Sequence, residues 1–256
     1  MGIFSRIDSW ITTLILAVVM LAAWGIGFRA GRRRRAEGDE PAAEKFRDAA
    51  MALLGLLLAF TFAMAYGKYE HRRLMLVADS NAIGDFYTCA TLLDEPVRTK
   101  LRSVVREYTL IRIAADRLPE VPEAPFEEAL ERVEQLQSQM TDLVSRAVHD
   151  GTPIAISLTD TLNALTSSEA SHLAAVRDRL PTSVVLLLYL AAAMATALVG
   201  IRQGGAEPKP WLAGLLAFIV LVSLVVYVIL DLNQPRRGFI TISHEPLERL
   251  LASMEK

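Results

Sequence analysis

The chain has 256 residues, is 52% hydrophobic, and sets 27 Lys and Arg against 29 Asp and Glu for a net charge of -2. The single cysteine, Cys89, excludes an intramolecular disulfide framework. A soluble domain of this length would also bury a large core, so what decides is distribution: the apolar residues stand in uninterrupted blocks, not at helical or strand period.

A hydrocarbon core of about 30 Å needs roughly 20 apolar residues in a helix that rises about 1.5 Å per residue. Four stretches meet that length: 9–28 (SWITTLILAVVMLAAWGIGF), 49–67 (AAMALLGLLLAFTFAMAYG), 182–201 (TSVVLLLYLAAAMATALVGI) and 211–230 (WLAGLLAFIVLVSLVVYVIL). None contains Asp, Glu, Lys, Arg or His. The first is too long for a signal-peptide core and has only Arg6, offset by Asp8, ahead of it, so it reads as a retained span.

The loop 29–47 between spans one and two carries Arg29, Arg32, Arg33, Arg34, Arg35, Lys45 and Arg47. Basic residues in short loops stay in the cytoplasm, and Arg202 and Lys209 add to the same side. This predicts an extracytoplasmic central domain. The opposite topology draws on Lys68, Arg72 and Arg73 after span two, Arg177 and Arg179 before span three, and Arg236 and Arg237 after span four. The Arg32 to Arg35 run beside a membrane fits topology or anionic lipid heads better than nucleic acid.

Residues 68–181 read as helices throughout. Span two has no proline and is predicted to run on to about Leu93, with Leu76, Ile83, Tyr87, Ala90 and Leu93 on one stripe. Asp94-Glu95-Pro96 marks a stop and a new start. A second helix aligns Val97, Leu101, Val104, Val105, Tyr108 and Ile111; the Pro-rich break LPEVPEAP (118–125) follows. A third aligns Phe126, Leu130, Val133, Leu136, Met140, Leu143 and Ala147, and a fourth Ile154, Leu158, Leu162, Leu165, Leu173 and Val176. Four amphipathic helices with short breaks predict an antiparallel bundle. In the tail, FITIS (239–243) alternates apolar and polar residues, as a short edge strand or an extended strap would.

Enzyme signatures are missing: there is no Gly-rich phosphate loop, GxSxG, HExxH or paired-cysteine motif. His71, His149, His172 and His244 are scattered, with no i, i+4 pair to begin a metal site. The chain is therefore expected to be neither an enzyme nor a holder of a metal or cofactor.

The spans do offer small-residue spacing. Gly55, Ala59, Ala63 and Gly67 recur every four residues in span two, as do Ala192, Thr196 and Gly200 in span three. Such faces admit close helix packing within a protomer, an oligomer interface, or the wall of a narrow pore. Uncharged spans argue against ion-coupled transport but leave a channel open. Lys68, Arg72 and Arg73 stand where span two ends, a place for anion contact, although Glu70 is placed to pair with Arg73 and interfacial Arg and Tyr are ordinary anchors.

The run LLGLLLAFTFAMAYGKYEHRR, then NAIG (81–84), then LLDEPVRTKLRSVVREY resembles a family of bacterial multi-pass proteins with a bestrophin-like domain. The tail LDLNQPRRGFITISHEPL, with Asp231, Pro235, Arg236, Arg237 and Gly238, also fits that family's pattern. Where the family usually shows an acidic pair before NAIG, this chain has Ala78-Asp79-Ser80. The resemblance implies a homo-oligomer, a pentamer as in bestrophins proper, with span two lining its axis and Arg72, Arg73 and Asn81 near it. It also implies small anions as the permeating species.

The resulting expectation is an all-α, multi-pass protein of a bacterial inner membrane. A first hairpin (1–67), a water-exposed helical domain (68–181), a second hairpin (182–232) and a tail (233–256) follow in order. The expected function is an anion channel; the alternative is a membrane-anchored scaffold or sensor that binds a protein through the central domain.

Overall fold

The computed structural model describes residues 8–35, 42–118, 124–206, 212–234 and 238–255. Among them every regular element is a helix and there is no strand. The helices are α1 (Ser9–Arg35), α2 (Ala42–Thr91), α3 (Val97–Arg117), α4 (Ala124–His149), α5 (Ala155–Arg177), α6 (Thr182–Ala206), α7 (Leu212–Leu232) and α8 (Glu245–Met254).

Local chemistry sets several boundaries. Arginine is a good helix former, so α1 runs on through the basic run instead of stopping at the end of its apolar block. At the end of α4, Gly151 takes a positive φ of 82°. Its neighbour Thr152 donates to Ala147 O at 3.1 Å, and Gly151 itself donates to Val148 O at 3.1 Å, which closes the last turn as a Schellman motif. The apolar helical run Ala155–Gly205 is interrupted at 178–181, so the part able to cross a membrane is α6. Among the described residues four helices are long and apolar enough to cross a bilayer.

The chain divides into two compact units. The first comprises residues 1–67 and 179–234. Within it α1 packs most extensively along α6 and next along α7. Small residues allow this: a Cβ on Gly27 would lie 2.1 Å from the Ala197 carbonyl oxygen, and one on Gly31 2.0 Å from that of Ile201. The relation is mutual, since a Cβ on Gly200 would lie 2.3 Å from the Trp24 carbonyl oxygen and one on Gly204 2.2 Å from that of Phe28. Trp24 Nε1 donates to Gln203 Oε1 at 2.9 Å, and the Tyr189 hydroxyl to Thr12 O at 2.8 Å. Asn233 Oδ1 accepts from Leu180 N at 2.7 Å, joining the end of α7 to the start of α6. The outer surface is apolar, with Trp10, Phe60, Leu190 and Val220 all exposed, as lipid contact requires.

The second unit comprises residues 68–178 and 235–256. Its core joins Leu76, Ile83 and Phe86 of α2 to Leu101, Val105 and Tyr108 of α3, with Leu136 and Met140 of α4 and Leu158, Leu162 and Leu165 of α5. The tail contributes α8, whose Leu247 and Met254 enter the same core. FITIS forms no strand; Gly238 has φ 108°, and the segment to His244 is an irregular strap that delivers α8.

Candidate functional site

The α2 stripe Gly55, Ala59, Ala63 and Gly67 is exposed along its whole length, and a Cβ on Gly55 or Gly67 would meet nothing within 4 Å. The corresponding α6 residues are otherwise placed: Ala192, Thr196 and Gly200 are buried in the packing described above. The same sequence pattern therefore has two fates, and only α2 keeps its small-residue face open.

The basic residues that follow span two all have internal partners. Lys68 Nζ pairs with Asp178 Oδ2 at 2.5 Å, and Arg73 Nη2 pairs with Glu70 Oε1 at 2.7 Å. Arg72 is 1% exposed, and its Nη1 donates to the Asp178 carbonyl at 3.5 Å. Asn81 lies exposed on α2. Of the tail residues, Asp231 is buried at the end of α7, whereas Arg236 and Arg237 lie outside the described residues.

Sequence reasoning did not single out the most unusual part of the second unit. A buried ionic cluster joins α2, α3 and α5 around Arg112, which is 2% exposed. Its Nη2 donates to Asp79 Oδ2 at 2.9 Å and to His172 Nδ1 at 2.8 Å. Ser168 Oγ donates to the other Asp79 oxygen at 2.9 Å, and Glu169 Oε1 stands 4.0 Å from Arg112 Nη1. Beyond His172, Asp116 Oδ2 lies 3.9 Å from its Nε2 and 3.8 Å from Nδ1 of His244.

The electrostatics follow from this geometry. Burial opposes the Arg112 charge, but the Asp79 and Asp116 carboxylates outweigh it and hold the guanidinium charged. Burial pushes the Glu169 carboxyl above its usual range, partly opposed by Arg112. Burial also pushes His172 down, against the pull of Asp116 and with the help of Arg112. A guanidinium only donates, so His172 Nδ1 must accept; the ring is neutral, with its proton on Nε2 toward Asp116. Among the described residues no three His, Cys, Asp or Glu side chains converge as metal ligands.

A lowered histidine value has a definite sign. The unfolded chain takes up the His172 proton near pH 6.5 and the folded chain only below that, so stability is full above about pH 6.5 and declines as pH falls from there. Glu169 acts in the opposite sense, losing its contribution as pH rises above its unfolded value. Comparison with His172→Gln isolates the imidazole: the thermal midpoint of the natural protein is expected to drop more than the variant's between pH 7.5 and 5.5. Parallel curves would show that His172 is not buried neutral.

Four apolar helices and a charge cluster sealed inside a separate helical unit define an all-α integral membrane protein. The model of the Bestrophin-like domain matches residues 13–247, so the chain belongs to the bestrophin-like domain family. No curated protein and no solved structure matches it.

Proposed function

We propose that this chain is one protomer of a homo-oligomeric channel that passes small anions across a bacterial inner membrane, with no catalytic activity and no resident cofactor. The observation that carries this reading is the open α2 face of Gly55, Ala59, Ala63 and Gly67, set against the filled Gly27, Gly31, Gly200 and Gly204 contacts. Small residues left open along a span fit a neighbouring helix or a narrow pore wall, because helices in lipid associate through close packing. Family membership supports a channel-like role.

In this reading α1 with α2 and α6 with α7 form two hairpins in the chain, and the second unit is a helical bundle on the extracytoplasmic side. Lys68, Arg72 and Arg73 act through the local field they create near the end of span two, since each already holds an internal partner. A scaffold reading draws on Leu92, 66% exposed, and Ile156, 79% exposed, which offer apolar contacts to a protein partner.

Subunit counting by native mass spectrometry of the detergent-purified protein separates the two. A closed ring of about five protomers is expected. A monomer or dimer would leave no shared axis and would favour the scaffold.

A further inference from the structure

The strap before α8 carries a titratable contact that is independent of what the spans conduct. Asp116 Oδ2 is buried with no hydrogen-bond partner among the described residues, although two imidazoles face it. A buried carboxylate oxygen in this state is costly and calls for a donor. His172 is poorly placed to supply a charged one: its Nδ1 already accepts from Arg112, and a second proton there would face the guanidinium.

His244 differs in each respect. Its Nδ1 is buried and also lacks a hydrogen-bond partner among the described residues, while the side chain as a whole is 22% exposed, so water reaches the ring. It closes the irregular strap as the residue before α8, where its carbonyl accepts from Glu248 N at 3.1 Å and leaves the imidazole to reorient about its own side-chain bonds. The 3.8 Å gap to Asp116 is about 1 Å longer than a charge-assisted hydrogen bond.

We propose that His244 and Asp116 form an acid-closed latch, in which a protonated His244 moves onto Asp116 and fastens the carboxyl-terminal strap to α3.

The surrounding charges favour this closure. From α3, Asp116 attracts the imidazolium, while Arg112 repels it from behind His172; Arg112 is itself paired with Asp79 of α2. From α5, His172 is neutral where it faces Asp116, and Glu169 stands beyond it near Arg112. On α8 itself, Glu245 and Glu248 in the first turn are held by Arg249 and Arg117, and they offset the unfavourable meeting of a cation with a helix N-terminus.

Hydrogen–deuterium exchange of the full-length protein in detergent tests this, with rates corrected for the intrinsic pH dependence of exchange. Peptides covering 238–244 should gain at least threefold protection as pH falls from about 8 to 5, the range in which imidazoles change charge. Both His244→Asn and Asp116→Asn should abolish that gain while leaving protection in the α3 and α5 core as in the natural protein. A gain that persists in His244→Asn, or no gain in the natural protein, overturns the latch. Should Asp116→Asn fail to fold, His244→Asn alone decides, because its side chain is partly exposed.

Discussion

Arg112→Met is expected to destabilise the second unit by about 3–5 kcal/mol, because it leaves Asp79 charged, 0% exposed and without its counter-ion. His172 Nδ1 loses its donor in the same step. Adding Asp79→Asn should restore most of the loss, since removing both charges also removes the cost of burying either one. The measurement is a double-mutant cycle on thermal unfolding in detergent, followed through the second unit. A coupling of about 2 kcal/mol or more is expected. Additive single effects would mean that the pair is not a unit and that the cluster is only incidentally charged.

Gly27→Ala is the second substitution with a large expected effect. One methyl group there would lie 2.1 Å from the Ala197 carbonyl oxygen and 2.9 Å from its carbon, both backbone atoms that no rotamer change can move. The α1–α6 contact must therefore open along its length, a penalty at or above the ~1–3 kcal/mol of ordinary overpacking. Gly25→Ala is the control, because nothing lies within 4 Å of its new Cβ. In a heating series, Gly27→Ala should lose folded protein several degrees earlier than the natural chain, with Gly25→Ala unchanged. Equal midpoints for the two would contradict the packing of the first unit.

Clustering made the membrane helices legible, because an uncharged block of about 20 residues has few other uses. The helices of the second unit were readable from stripes such as Leu101, Val105 and Tyr108, where the period of burial is also the period of the sequence. Sequence spacing did not separate the two small-residue faces, since Gly55–Gly67 and Ala192–Gly200 look alike until their neighbours are placed. The partner face in α1, Gly27 and Gly31, carries the same four-residue signal.

The tail helix α8 was also readable in principle. Leu247, Leu250, Leu251 and Met254 keep helical spacing after Pro246, but the alternating FITIS just before them suggested extended chain. The ionic cluster was legible only in fragments. Tyr108, Arg112 and Asp116 recur at i, i+4 on a face that is otherwise apolar, which marks charges destined for burial. Their partners Asp79, His172 and His244 come from three other segments, and no local pattern links residues so far apart in the chain.

Halide efflux from liposomes holding the purified protein tests the oligomeric anion pathway most directly. Chloride-loaded vesicles should discharge when the protein is present, and Ala59→Phe should lower that flux by tenfold or more while the subunit count stays the same. A ring of intact protomers that passes no chloride, or a flux indifferent to a bulky side chain on the α2 face, would contradict the account.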